Sequence, residues 1–474
     1  MPMVTVIIPA LNEEATIENV ILLAKQHKNV SEIIVVDDQS MDDTALIARQ
    51  HHVRLVTSTS LGKGNSMREG MMLAKNEIIV FLDADIPNYN ADIIELLTQP
   101  LINDEADFVK SYFDRQAGRV TEILVKPLLE FFFPQLTTFK QPLSGMIAGK
   151  KSFFQQVEFE NDYGVDIGLL IDMHHVHARI TEVCIGEIEN DMQPLHALSR
   201  MARQVSGAIL KRINIFSYLQ QEKPQLPETP VRNQVSFALK EKKRMPDKMV
   251  VFDMDNTLLR GSFIKTAAET FGFSQSLKRI IADNINPVAR TKEIAALLAG
   301  KSFAELINVL ESIPLLHDAA FVISYLKSKG YVCGIISESY HCITDHVKNL
   351  LGLDFSLANE LEFDKSIANG NVHVPKQFMH TEKSACMHHY CKWNMLSYIT
   401  SCFGISIHNT VAIGDGENDY CMIRHAGTGI SFNATNPVIN EVSDFIFNTD
   451  SLLPLLTVLE SKRNHAGSMM HISH

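Results

Sequence analysis

Val250–Leu259, VVFDMDNTLL, runs a stretch of buried-type apolar residues straight into an Asp-x-Asp pair, and that junction decides the fold of the second half of the chain. A short apolar run bounded by turn signals is what a strand covered on both faces requires, and ligands of open parallel sheets bind at the carboxyl ends of such strands. Asp253 and Asp255 are therefore expected at the end of a central strand. Working outward, VCGIISES ends on Ser337, Lys392 follows, and TVAIGDG leads into Asp415 and Asp419 of GDGENDYCM. A lone Asp-x-Asp is compatible with a solvated turn; four motifs in this order are not. Residues 261–314 carry a helical rather than a strand period, with Ile294, Leu297 and Leu298 on one face, which predicts a cap over the site.

Hydrolysis of a phosphomonoester needs a nucleophile in line with phosphorus, an acid for the leaving alkoxide, a cation and groups to hold the phosphoryl oxygens. Asp253 is expected as the nucleophile and Asp255 as the acid and base, with Ser337 and Lys392 on the phosphoryl group. Asp415 completes a Mg²⁺ site with Asp253 and Asp255, and Asp419 supports it. Lys392 also offsets repulsion among the carboxylates.

The first half has its own rhythm. VTVIIPA, EIIVVDD, VRLVTS and EIIVFLDAD are short β-branched runs separated by amphipathic stretches, predicting a parallel sheet with helices on both faces. Asn12, Asp37, Asp38, Asp83 and Asp85 fall at its strand ends. Transfer of a sugar from a nucleotide diphosphate needs the departing diphosphate neutralised, commonly by a carboxylate-held divalent cation and a lysine. FLDAD supplies Asp83 and Asp85 for Mn²⁺ or Mg²⁺, and glycine-bracketed LGKGNSMREG supplies Lys63 in a loop that can approach phosphate. PALNEE and VVDD, with Asp38, form the expected nucleoside pocket. The fold class is thus α/β with two Rossmann-like domains of parallel sheet, the second bearing a helical cap.

A length of 474 residues exceeds what one hydrophobic core organises, and 46% apolar content suffices to fold two or three. The expected division is 1–213, a linker over 214–248 marked by KPQLPETPVRNQ and KEKKRMPDK, 249–460 with its cap at 261–314, and a disordered tail over 461–474. A net charge of -12 argues against nucleic acid as a partner. The chain opens directly on a strand without the lead of a signal peptide, and no stretch has the length of a membrane span, so a cytoplasmic location is expected. The seven cysteines, Cys386, Cys391 and Cys402 among them, form no CxxC pair, which predicts reduced thiols and neither a zinc site nor a disulfide framework. The aromatic run Phe131 to Phe133 is expected in the core.

DMDNTL, LKSKGYVCGIISES, LGLDFSLANEL and GDGENDYCM, within 249–459, resemble the phosphoserine phosphatase branch of the haloacid dehalogenase superfamily. The resemblance puts Asn418 with Ser337 and Lys392 at the phosphate. Its usual Ser-Gly-Gly reads Ser337-Glu338-Ser339 here; the added charge and bulk point away from phosphoserine as substrate. PALNEE, VVDDQSMDDT, GKGNSMREG and FLDAD resemble glycosyltransferases with one Rossmann-like domain, of the family 2 and family 81 kind. FVKSYFDR, AGRVTE, QPLSGMIAG, YGVDIGLLID and PLHALSRMARQV are similar to glucosyl-3-phosphoglycerate synthases, which move glucose from UDP-glucose to 3-phosphoglycerate. That resemblance places Pro9, Leu11, Glu13 and Lys63 on the nucleotide sugar, with Asp83 and Asp85 on its metal. Gly118, Arg119 and Thr121 fall on the acceptor loop, and Asp166 replaces a glutamate beside the acceptor. The family's arginine and histidine before the PL segment read Ile188 and Asn190; His196 nearby is a replacement ligand to be weighed against a structural role.

The implied function is transfer of a hexose to a phosphorylated acceptor followed by hydrolysis of the phosphate, with a homodimer allowed. Two alternatives stand beside it. One is the same pair of activities on another phosphorylated acceptor; the other is a Mg²⁺-dependent phosphatase regulated by a transfer-inactive nucleotide-sugar domain.

Overall fold

The computed structural model describes residues 2–113, 118–188, 195–213, 246–283, 286–382 and 384–460. The chain divides into two compact units, Met1–Pro227 and Glu228–His474. Most of the expected linker, 214–245, and the expected tail, 461–474, lie outside the described residues.

The first unit is built on seven strands: β1 Val4–Ala10, β2 Val30–Asp37, β3 Arg54–Thr57, β4 Ile78–Phe81, β5 Phe108–Tyr112, β6 Ile147–Lys150 and β7 Ile180–Cys184. Their order is β3-β2-β1-β4-β6-β5-β7. Val6, Ile7, Ile8, Ile34, Val35, Val36, Ile79 and Val80 have no exposure, the mark of strands covered on both faces. The order reverses around β1, which pairs in parallel with both β2 and β4 and opens a crevice at their carboxyl ends. Sheet direction departs from expectation in one place: β6 runs antiparallel to β4 and to β5, so the sheet is mixed. Strand direction depends on how the chain returns, and apolar periodicity carries no record of it.

The expectation for the aromatic run also needs correcting. Phe133 is buried, but Phe131 is 79% exposed and Phe132 41% exposed, along the helix Lys126–Phe132. Consecutive helical residues point about 100° apart, so three in a row cannot share one buried face.

The second unit has β8 Lys248–Phe252, β9 Tyr331–Tyr340, β10 Phe355–Asp364, β11 Ile367–His373, β12 Thr410–Gly414, β13 Thr428–Phe432 and β14 Phe445–Phe447, in the order β11-β10-β9-β8-β12-β13-β14. All neighbours are parallel except the β10–β11 hairpin. Here β8 lies at the reversal, between β9 and β12.

Between β8 and β9 come the cap helices Phe263–Phe271, Ser274–Asp283, Pro287–Ala296 and Phe303–Glu311, inside the span expected for a cap. Their starts are written locally. Asn286 accepts from Val288 N and Ala289 N ahead of Pro287, and Ser302 with Glu305 forms a reciprocal capping box. Each such cap contributes about 1 kcal/mol.

Candidate functional site

In the second unit, β8 delivers Asp253, β9 delivers Ser337 and β12 delivers Asp415 to one edge of the sheet. Lys392 opens the helix Lys392–Phe403 and has no exposure; its Nζ lies 2.8 Å from Asp253 Oδ1 and 2.7 Å from Asp419 Oδ1. Burial alone would pull this ammonium down, but Asp253, Asp419 and Glu338 together hold it above lysine's ordinary value. Asp419 Oδ2 accepts from the backbone of Asp415 (3.2 Å) and Gly416 (3.1 Å). Gly414 is required beside it, because a Cβ there would overlap the Asp419 carboxylate.

Asp253, Asp415 and Asp419 bring carboxylate oxygens within 4.8 Å of one another, a hard-oxygen donor set suited to Mg²⁺. Burial and the charge of Asp253 push Asp415 up to about 6, as expected of acidic groups gathered where a cation would lower them.

Asp255, expected as a further ligand, is not among the three. Its carboxylate accepts from Ser262 Oγ at 3.0 Å and Phe263 N at 3.1 Å, and burial followed by the charge of Asp253 pushes it up to about 7. That places it near even protonation at neutral pH, which suits an acid that must next act as a base. A cavity of about 180 Å³ opens before these groups, lined by Asp253, Asp255, Ser337, Glu338, Asn418 and Arg290 of the cap. Arg290 was not foreseen from the sequence: a charged residue within an amphipathic helix has the look of a solvated face. Asn359 fixes the end of β9 after Ser337, its Nδ2 donating to the Glu338 carbonyl at 2.6 Å, and the Glu338 side chain bonds to Asn418.

In the first unit, Lys63 begins the helix Lys63–Leu73, its Nζ 2.8 Å from Asp83 Oδ1 and 3.2 Å from Asp166 Oδ2. Gly145 stands directly against this pair: a Cβ there would lie 2.6 Å from Asp83 Oδ2 and overlap the lysine ammonium. The segment QPLSGMIAG was legible as a motif, but the close approach that requires its glycine was not.

Asp38 is buried, accepts from Gly62 N at 2.8 Å, and is pushed up to about 7 by burial, with Asp37 adding to the effect. Glu13 rises to about 7 through burial and the charges of Asp85 and Asp42. One oxygen each of Asp38 and Asp166 is buried without a hydrogen-bond partner among the described residues. Pro9 is half-buried at the end of β1, and Leu11 is exposed beyond it.

The acceptor loop is partly open: Gly118 and Arg119 are exposed and Thr121 is buried. Ile188, standing where the resemblance has an arginine, is 7% exposed and packs in the first unit's hydrophobic core. Asn190 and the side chain of His196 lie outside the described residues. Among the described residues no third acidic, histidine or cysteine side chain joins Asp83 and Asp85 in a metal-sized cluster.

The cysteines gather in a way their sequence spacing did not suggest. All seven cysteines are free thiols, yet Cys386, Cys391 and Cys421 gather with His388 so that one ligand atom of each lies within 4.8 Å of the others. Cys421 is thirty residues from Cys391 in sequence, so a search for paired CxxC spacings misses it.

Among the described residues each unit sets a lysine among carboxylates at the carboxyl edge of its α/β sheet, an arrangement suited to transferase-type chemistry in the first and phosphohydrolase-type chemistry in the second. The glycosyl transferase family 2 model matches residues 5–157, and the haloacid dehalogenase-like hydrolase model matches residues 250–424. Glucosyl-3-phosphoglycerate synthase of Petrotoga mobilis is 33% identical over 238 residues, covering 44% of this chain and 73% of that protein. The chain belongs to the glucosyl-3-phosphoglycerate synthase family through its first unit, and carries a haloacid dehalogenase-like hydrolase unit after it.

Phosphoserine phosphatase of Archaeoglobus fulgidus is 31% identical over 217 residues, 45% of this chain and 60% of that protein. A crystal structure of the Mycobacterium tuberculosis glucosyl-3-phosphoglycerate synthase with Mn²⁺, uridine diphosphate and glucosyl-3-phosphoglycerate is 35% identical, with a TM-score of 0.43 over 45% of this chain and 80% of that one. No helix among the described residues is long and apolar enough to cross a membrane.

Proposed function

We propose that this enzyme transfers glucose from UDP-glucose to 3-phosphoglycerate and then hydrolyses the phosphate of the product. The observation that carries the reading is the convergence of Asp253, Asp415, Asp419 and Lys392 in a chain whose first unit belongs to a family named for making a phosphorylated glycoside. A synthase whose product keeps its phosphate leaves a substrate for that second centre.

In the transfer, Lys63 neutralises the departing diphosphate, and Asp83 and Asp85 would hold a divalent cation, Mn²⁺ or Mg²⁺, that spreads the same charge. The unpartnered oxygens of Asp38 and Asp166 are suited to accept from sugar or acceptor hydroxyls. Arg119 supplies a fork for the acceptor phosphate, with Gly118 and Thr121 beside it.

In the hydrolysis, an Asp253 oxygen bonds to phosphorus as the ester P–O bond breaks, and Asp255 gives its proton to the leaving alkoxide. Asp255 then takes a proton from the water whose oxygen displaces Asp253, releasing inorganic phosphate. Ser337, Asn418 and Lys392 hold the phosphoryl oxygens throughout. Mg²⁺ held by Asp253, Asp415 and Asp419 would neutralise those oxygens. Arg290 faces the same cavity and suits a carboxylate such as that of a glycerate.

Ile188 in the core favours one variation, an acceptor held with fewer cationic contacts than 3-phosphoglycerate receives elsewhere in the family. The test is product analysis by mass spectrometry, with UDP- and GDP-sugars offered against phosphorylated acids. Asp253→Asn is expected to accumulate the phosphorylated glycoside. If that variant consumes no nucleotide sugar with any acceptor, the first unit is a regulatory module and this reading fails.

A further inference from the structure

We propose that Cys386, His388, Cys391 and Cys421 bind one Zn²⁺ in a closed Cys₃His site that fixes the phosphohydrolase centre from behind. Three observations support it independently. The first is the cluster itself: three thiols and an imidazole with ligand atoms mutually within 4.8 Å, and Cys421 Sγ 3.2 Å from His388 Nδ1. Four ligand atoms this close together, three of them soft sulfurs, suit zinc rather than Mg²⁺ or Mn²⁺, and a site closed by four protein ligands is structural.

The second is the pattern of backbone donors. The backbone N–H of His388 bonds to the Cys386 sulfur and that of Trp393 to the Cys391 sulfur, which holds both sulfurs in the cluster. A disulfide would use two of the thiols and leave the third thiol and the imidazole without a role.

The third is where the four residues sit. Cys386 and His388 belong to a loop closed by the Met379–Tyr390 bridge and by His380 N donating to the His389 carbonyl at 2.9 Å. Cys391 is the residue before Lys392, and Cys421 lies two residues after Asp419 in the helix Tyr420–His425. A metal bonded to all four therefore ties together the elements that carry the Lys392–Asp419 pair, 2.7 Å apart. Tyr390, Cys391, Trp393 and Cys421 also share one hydrophobic core, so the inner side of the site excludes water, while exposed His388 leaves a path of entry. The role assigned is positioning: none of the four ligands belongs to the phosphate cavity.

The experiment is elemental analysis of the full-length protein, purified under reducing conditions without added metal and washed with Mg²⁺ to clear the carboxylate site. One zinc per chain is expected. Substitution by Co²⁺ should give the thiolate-to-cobalt charge-transfer band, and Cys421→Ser should lose both metal and band. His388→Ala, at an exposed position, keeps the test open if the cysteine variant fails to fold: it should weaken zinc binding at least about tenfold in chelator competition. The same variant should lower phosphatase kcat and leave the transferase rate unchanged. Zinc-free wild-type protein, iron in place of zinc, a Cys391–Cys421 disulfide in protein from reducing preparation, or equal zinc in wild type and both variants would each overturn the proposal.

Discussion

Two lysines organise the two units, and they are held differently. Lys392 has no exposure and sits between Asp253 and Asp419 at 2.8 and 2.7 Å; Lys63 keeps 17% of its side chain exposed and reaches Asp83 at 2.8 Å and Asp166 at 3.2 Å. The difference tracks what each must do. A phosphoryl group enters a cavity whose charges are already balanced by a fixed ammonium, so little has to reorganise in the reaction. The first unit is more open: among the described residues Leu11 and Arg119 are exposed, and Asp38 and Asp166 each keep one buried oxygen without a hydrogen-bond partner. Among the described residues, the lysine of the second unit is the more deeply buried and the more closely paired of the two.

The largest break in this comparison comes from Asp253→Asn, which should lower phosphatase turnover on the order of 10⁴-fold or more and leave transfer intact. Near wild-type hydrolysis of any phosphomonoester by that variant would remove the nucleophile from the account. Next is the pair Lys392→Met and Lys63→Met, read by chemical denaturation of each unit. Deleting Lys392 leaves two buried carboxylates uncompensated and should cost about 3–5 kcal/mol, whereas deleting Lys63 leaves one buried partner, Asp166, beside the more exposed Asp83 and should cost less, about 1–3 kcal/mol. Equal losses would show that the two centres are held alike. Gly145→Ala sharpens the first unit: its Cβ displaces the Lys63–Asp83 pair, and transfer kcat should fall on the order of 10²-fold with the melting temperature nearly unchanged.

The smallest effect concerns protonation. Asp255, pushed up to about 7, must carry its proton to release the alkoxide, so the pre-steady-state release of alcohol should decline as pH rises through about 7. Ser262 Oγ donates to the charged carboxylate and so holds this value down. Ser262→Ala should therefore move the decline to higher pH and change the rate less than about tenfold at any pH. A decline moving to lower pH would contradict the assignment of the acid.

Both sheets and the residues at their edges were legible because the signal is local. A buried strand must be apolar, and the acidic residues after VVF, IVF and VAIG stand in the one place where packing cannot account for them. What depends on return paths through space was not legible. Antiparallel β6, the contact of Gly145 with Lys63, the entry of Arg290 from the cap, and the meeting of Cys421 with Cys386, His388 and Cys391 all join residues far apart in sequence. Asp255 shows a subtler limit. Its place beside Asp253 suggested a metal ligand, but the two donors supplied by Ser262 and Phe263 turn its carboxylate away from the other three.

The central claim is that the two centres act in sequence, and steady-state phosphate release tests it most directly. Wild-type enzyme is offered 3-phosphoglycerate and, separately, the phosphorylated glycoside accumulated by Asp253→Asn. Premature hydrolysis would destroy the acceptor before transfer, so kcat/KM should be higher for the glycoside, by roughly tenfold or more if a pocket contact worth at least 1.4 kcal/mol reads the sugar. A kcat/KM equal or higher for the unglycosylated acid would contradict the sequence and favour a phosphatase that the first unit merely regulates.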